Sequence, residues 1–275
     1  MKKIRYLLLL LCSSLYVNAA IPKRIITLSA ALTETADALG FGKNIVAVDV
    51  TSMYPAFVNK LPKVSNNRSV SAEGLIAFAP DLVLAPEGSV SKEIQYQLKS
   101  AGIRFVGIKQ EYSVAGALAF IRTVAAALQS ASKGEILAKQ TEIKIKQSLA
   151  TIKTGGKVPK VLFIYARGTG TMLVAGKKTS MDAIITLSGG KNAVQEFNEF
   201  KPYTTEALIK ADPDVILMFE FGYNSLGGIN SILKMPGVGQ TKAGKNKKIV
   251  QLDADLLVNF SVRLDQAIKA LNNQL

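Results

Sequence analysis

Short apolar runs alternate with amphipathic stretches along nearly the whole chain. Apolar runs at residues 24–28, 45–48, 82–84 and 105–108 predict buried strands in the first half. Runs at 161–165, 172–175 and 249–252 predict them in the second. Helical spacing fills the intervals. Residues 33–39 read as a helix stopped at Gly40, and residues 90–101 as one stopped at Gly102. Val114, Leu118, Ile121, Ala125 and Leu128 keep one face of a longer helix. Residues 180–187 and 262–271 complete the set. Strands alternating with helices predict an α/β fold with largely parallel sheets.

One pattern occurs twice. From Ser71 the chain reads SAEGLIAFAPDLVLAPEG, and from Thr204 it reads TTEALIKADPDVILMFEFG. Each copy gives a hydroxyl cap, an acidic first turn, a short helix, a Pro–Asp break and a buried strand. Glu73 matches Glu206, and Pro80–Asp81 matches Pro213–Asp214. LGFGKNIV from Leu39 and LSGGKNAV from Leu187 form a second pair. The chain therefore reads as two similar lobes of roughly 120 residues each. Between the copies, Ser132 and Glu135 give a capping-box spacing. Ile145, Leu149 and Ile152 then share one face before Gly155–Gly156. The expected partition is a leader at 1–19, an N-terminal lobe at 20–131, a connecting helix at 132–154 and a C-terminal lobe at 155–275.

Lys2, Lys3 and Arg5 precede an apolar run that is too short to span a bilayer and ends in Val17-Asn18-Ala19, the pattern of an export signal cleaved near Ala19. The expected location is therefore the periplasm. The only cysteine, Cys12, lies inside this leader. It is a candidate for lipidation, but no small residue precedes it, and signal-peptide cleavage fits better. The mature chain then has neither a disulfide nor a thiol nucleophile. The formal charge is +14, and losing the three leader cations leaves +11, mostly dispersed lysine. That excess suits an anionic ligand or membrane face. An exported chain without aromatic residues interleaved in a basic patch does not suit nucleic acid.

The chain has no histidine, which excludes Ser-His-Asp and Cys-His triads and imidazole metal sites. GTMLVAGK from Gly170 imitates a phosphate loop. However, five residues separate its glycines, and Lys178 stands where Ser or Thr is required. A binding protein is the remaining reading, with its ligand in the cleft beyond the carboxyl ends of the strands. That geometry gathers residues 52–68, 86–88, 167–172, 199–203 and 221–224, and Arg167 among them is a ligand-binding candidate. An envelope enzyme using the same cleft is the alternative from another class.

RIITLSAALTETADALGFG, LPKVSNNRSVSAEGLIAFAPDLVLA and FNEFKPYTTEALIKADPDVIL resemble the helical-backbone class of periplasmic binding proteins. That class serves iron-siderophore, cobalamin and haem importers. YARGTGTMLVAGKKTSMDAIITLSGGKNAV and YNSLGGINSILKMPGVGQTKAG resemble its haem-binding members. The resemblance covers nearly all of the mature chain. It implies two lobes joined by one long helix, a monomer, and an ABC importer permease as partner. It also implies that Glu73 and Glu206 dock onto arginines of that permease. Haem is the implied transported ligand, and a ferric siderophore or a cobalamin-like corrinoid is the alternative. Haem binders of this class carry a Tyr, one residue and then an Arg just before the SAEG segment. Here Arg68 keeps the Arg, but Asn66 stands in the Tyr position. Tyr223 is the first substitute as iron ligand, followed by Tyr203 and Tyr54.

Overall fold

The structure is a computed structural model, and it describes residues 21–65, 69–152, 156–168 and 172–275. The expectations for the leader, Cys12, Asn66 and Arg68 lie outside these residues.

The first lobe is built on β1 (Ile25–Thr27), β2 (Ile45–Val48), β3 (Leu82–Pro86) and β4 (Arg104–Ile108). They form one fully parallel sheet in the order β2-β1-β3-β4. Its helices are α1 (Ala30–Ala36), α2 (Ala72–Ile76), α3 (Lys92–Ser100) and α4 (Val114–Ala127). Alternate strand residues serve opposite faces, as the period of a strand requires. Ile25, Leu82 and Leu84 pack with Leu32, Phe120, Val124 and Leu128 on one face. Ile26, Val83 and Ala85 pack with Leu75 and Leu98 on the other. A sheet buried on both faces needs continuous apolar strands, which β1, β2 and β3 supply, while β4 at the sheet edge is only partly buried.

α5 (Ala131–Ala150) follows α4 as a helical hairpin. The two helices approach closely at Gly134, where an added Cβ would fall 2.2 Å from that of Ala125. The expected capping box at Ser132 does not form. The helix begins one residue earlier, and Glu135 pairs instead with Arg122 of α4 at 2.7 Å. With Ser130 at the N-cap, Ser132 already lies inside the first turn and cannot cap it, and the Glu135 carboxylate makes a charge-assisted pair with the guanidinium on α4 instead. Ile145 of α5 is buried as the spacing predicts, with Leu149 and Ile152 packed against the same core.

The second lobe carries β5 (Lys160–Ala166), β6 (Met172–Ala175), β7 (Lys191–Asn192), β8 (Phe200–Lys201), β9 (Val215–Phe219) and β10 (Ile249–Leu252). The strand order is β10-β9-β5-β6-β8, with β7 also on β5. β5, β9 and β10 run parallel, whereas β6 and β8 are antiparallel to their neighbours. The expectation of a largely parallel sheet therefore fails at this edge. The reason is connection length: residues 167–171 are too few for a crossover, so β6 returns directly. The helices are α6 (Ser180–Leu187), α7 (Thr205–Ala211), α8 (Glu220–Ser225), α9 (Ile229–Leu233), α10 (Lys242–Lys245), α11 (Ala254–Val258) and α12 (Leu264–Asn272). Leu264, Ile268 and Leu271 of α12 close the core around Ile145 and Phe163. Among the described residues, no helix is long and apolar enough to cross a membrane.

Candidate ligand-binding site

The loop after β2 is stitched by short polar side chains. The Asp49 carboxylate accepts from Thr51 Oγ1 at 2.8 Å and from Ser52 Oγ at 2.7 Å. Thr33 Oγ1 bonds Ser52 Oγ at 2.9 Å and Thr27 Oγ1 at 2.7 Å behind them. Lys63 donates to the Ser52 carbonyl at 2.6 Å. Burial lowers the Lys63 pKa, and the charges of Asp49 and Asp255 partly offset that. This rigid base projects Met53 and Tyr54 outward, half exposed.

The segment after β10 comes back to meet that loop. The Arg263 guanidinium lies over the Tyr54 ring, 4.1 Å from its centroid. The same guanidinium is bonded to Glu34 of α1, through Nε at 2.8 Å and through Nη2. Asn259 Nδ2 adds a bond to Glu34 at 3.1 Å. Burial pushes the Glu34 carboxyl up, against the opposing pull of Arg263 and Asn259. Burial also works against the Arg263 charge but is outweighed by Glu34, so its pKa rises. Phe260 meets Tyr112, after β4, edge-on at 5.3 Å. These contacts join α1 and the loops beyond the carboxyl ends of β2 and β4 to the segment that follows β10.

The second lobe offers an aromatic and cationic wall at its strand ends. Tyr165 sits near the end of β5, Phe219 ends β9, and Phe221 lies in the first turn of α8. Tyr165 and Phe221 are 5.8 Å apart and Phe219 and Phe221 5.5 Å, as ring centroids. Arg167 Nε donates to Tyr165 Oη at 2.8 Å, and its guanidinium lies 5.4 Å from the Phe221 ring. Gly168 N–H donates to Ser225 Oγ at 3.0 Å and pins the loop to α8. Gly222 lets α8 come this close, since a Cβ there would lie 3.1 Å from the Ala166 carbonyl oxygen. Phe221 and Met172 remain substantially exposed. Such a wall offers ring faces, guanidinium N–H groups and a phenolic oxygen to a large, flat, partly anionic molecule.

The tyrosine candidates separate on this geometry. Tyr223 was expected in a loop but lies in α8. Its hydroxyl accepts from Ile229 N–H at 3.1 Å, and its ring packs against the lobe's own core. The apparent loop signal came from Gly227–Gly228, which only ends this helix. Tyr203 donates to Glu196 Oε1 at 2.8 Å; burial and then that bond push its phenol well above the usual range. Tyr54 is half exposed, and its hydroxyl has no hydrogen-bond partner among the described residues. Tyr165 was not singled out from the sequence. The available signal was the Tyr-x-Arg spacing itself, which stands at Tyr165–Arg167 in the second lobe. A cavity of about 870 Å³ lies nearby, between Gln110–Tyr112 and Lys177, Lys178, Asp182 and Asn198. None of Tyr54, Tyr165, Arg167, Tyr203 or Tyr223 lines it.

Glu73 and Glu206 occupy the same place in the first turns of α2 and α7, both exposed. Ser71 Oγ accepts from Gly74 N–H at 3.0 Å and Thr204 Oγ1 from Ala207 N–H at 3.2 Å. Because each helix runs back before its strand, these N-termini point to the end of the lobe that carries the cleft. Among the described residues neither carboxylate has a salt bridge.

Two lobes clasping a cleft at their strand ends define a solute-binding protein of the kind that serves ABC transporters. The chain belongs to the periplasmic binding protein family, whose model matches residues 25–256. The periplasmic haem-binding protein RhuT of Roseiflexus sp. RS-1, in apo form, superimposes with a TM-score of 0.88 at 36% identity, covering 92% of this chain and 97% of that one. An uncharacterized ABC transporter substrate-binding lipoprotein, YvrC of Bacillus subtilis, is 29% identical over 91% of this chain and 79% of its own length. A vitamin B12-binding protein of Vibrio parahaemolyticus is 29% identical over 78% of each chain. The family's work is substrate binding.

Proposed function

We infer that this protein is exported, binds haem in the interlobe cleft without chemical turnover, and delivers it to the permease of an ABC importer. The observation that carries the reading is the Tyr165–Arg167 pair set against Phe221 at the second lobe's strand ends. A phenol oxygen is a hard donor suited to ferric iron. An Arg N–H on the same oxygen complements the negative charge it takes on as a ligand. The exposed Phe221 ring and Met172 side chain suit an apolar macrocycle beside the Tyr165 phenol. Tyr165 is thus the proposed iron ligand in place of Tyr223. Arg68 remains a proposed partner for a propionate, since its planar fork matches carboxylate geometry.

The alternative is a corrinoid, favoured by the vitamin B12-binding relative. Titrating the purified protein with hemin, cyanocobalamin and a ferric siderophore separates the readings. Haem binding gives a Soret band with phenolate-to-iron features, and Tyr165→Phe removes those features. A Soret spectrum identical in Tyr165→Phe rejects Tyr165 as the ligand. Saturation by cyanocobalamin with no response to hemin rejects haem.

A further inference from the structure

We propose that Arg263 is a positioning residue that fixes the Tyr54 ring as the first-lobe wall of the ligand cleft, using Glu34 as its anchor across the lobes. The proposal rests on the cleft reading given above and names a residue outside the Tyr165 wall. Tyr54 stands on a loop, half exposed, with no hydrogen-bond partner among the described residues for its hydroxyl. Such a side chain would ordinarily be free to turn. Here one face of its ring is covered by the Arg263 guanidinium at 4.1 Å. The guanidinium cannot turn either. Its Nε and Nη2 are both committed to a Glu34 carboxylate that is fully buried, and Asn259 fills a further site on Glu34.

The planar fork is what makes the device work. Two bonds to one carboxylate set the guanidinium plane, and that plane sets the ring stacked on it. A lysine would supply the charge without the plane. Among the other charged neighbours, first-lobe Lys63 faces Asp255, and two carboxylates come from the second lobe. Asp253 acts on both Glu34 and Arg263, and the Asp255 carboxylate feels the Met53 backbone, just before Tyr54. The Tyr54 loop is therefore met by the segment after β10 at the Tyr54 ring itself. Its other face stays exposed and is left for a flat ligand. A shift of one lobe against the other moves Arg263 relative to the β2 loop and so loosens this wall.

Replacing Arg263 alone strands a buried carboxylate, so the test uses the pair variant Glu34→Leu with Arg263→Met, which replaces both charges by apolar groups. Arg263→Lys is the second variant. Hemin affinity is measured for each in the Tyr54 and Tyr54→Ala backgrounds, with melting curves alongside. Loss of the stack weakens binding roughly three- to thirtyfold in the Tyr54 background. In the Tyr54→Ala background it changes little. Equal losses in both backgrounds overturn the proposal, because a merely structural residue would act that way. A ligand-free measurement keeps this apart from the haem reading. The chain has no tryptophan, so Tyr54→Trp creates a single reporter. Its fluorescence anisotropy should fall when Arg263→Lys or the pair variant is added. Unchanged anisotropy overturns the positioning role whatever the ligand proves to be. A wild-type protein that gives no Soret change with hemin overturns only the haem reading, and the affinity cycle is then run with cyanocobalamin.

Discussion

Apart from the matched N-termini of α2 and α7, the two lobes are alike at the ends of their strands that face away from the cleft, and unlike at the ends that form it. Asp81 accepts from Lys23 and Arg24 N–H just before β1, and Asp214 accepts from Lys160 N–H at the start of β5. The Arg24 side chain donates to the carbonyls of Phe78 and Ala79, and the Lys160 side chain to that of Ala211. The residue before each Pro–Asp is left-handed, Ala79 at φ 43° and Asp212 at φ 42°. At the cleft the parts diverge. In the register that matches Leu39 to Leu187, Glu34 corresponds to Asp182. Asp182 stays within its lobe, bonded to Lys178 N–H and Asn192 Nδ2, whereas Glu34 reaches the other lobe. The frame of the unit is kept because its polar contacts close it locally. The cleft end varies because one acidic position can serve either its own lobe or its partner.

The largest test of the shared frame is docking. Glu73→Ala with Glu206→Ala should reduce importer-dependent uptake to background and leave ligand affinity unchanged. Each single variant should fall between, and wild-type transport by the double variant would end the docking assignment. Next in size is the divergent pair. Glu34→Ala leaves Arg263 largely buried without its anion and should cost about 3–5 kcal/mol in denaturant unfolding. Asp182→Ala should cost only about 1–2 kcal/mol, from lost bonds to an amide and a backbone N–H. Equal costs would show that crossing between lobes adds nothing. Asp81→Ala and Asp214→Ala should each cost about 1–2 kcal/mol and match one another, since each holds the start of its lobe's strand.

The smallest effect concerns Asp255. Burial, then Asp253 and Glu34, push its carboxyl to about 6. A raised carboxyl makes its contribution below its unfolded value, near 3.8, and loses it as pH rises through about 6. The wild type should therefore lose about 1 kcal/mol between pH 4 and 7 from this group, after allowance for its partial exposure. Asp255→Asn should flatten that slope, and an unchanged slope would contradict the assignment.

Most of this frame was legible in the residues. Periodicity placed β2 and β6 at their observed bounds, and the doubled cap-helix-Pro-Asp pattern located α2 and α7. What could not be read depended on distance in space. The capping box at Ser132 lost to Arg122, whose approach depends on how α4 meets α5. The glycines after Tyr223 looked like a loop because a helix of six residues is too short to show a periodic signature. Tyr165 escaped notice because its meaning comes from Arg167 and from Phe221, which is far along the chain. The Arg263 stack on Tyr54 has no sequence signal, since the two residues lie far apart along the chain and meet only in the folded molecule.

The bonds from Glu34 to Asn259 and Arg263 span 225 and 229 residues of chain. Closing a loop of that length costs conformational entropy and tends to come late in folding. The first lobe's α1 therefore waits for nearly the whole chain before its one buried carboxylate is matched. A chain cut short before Asn259 would lack both partners of that carboxylate, and with them the bonds that tie α1 to the C-terminal segment.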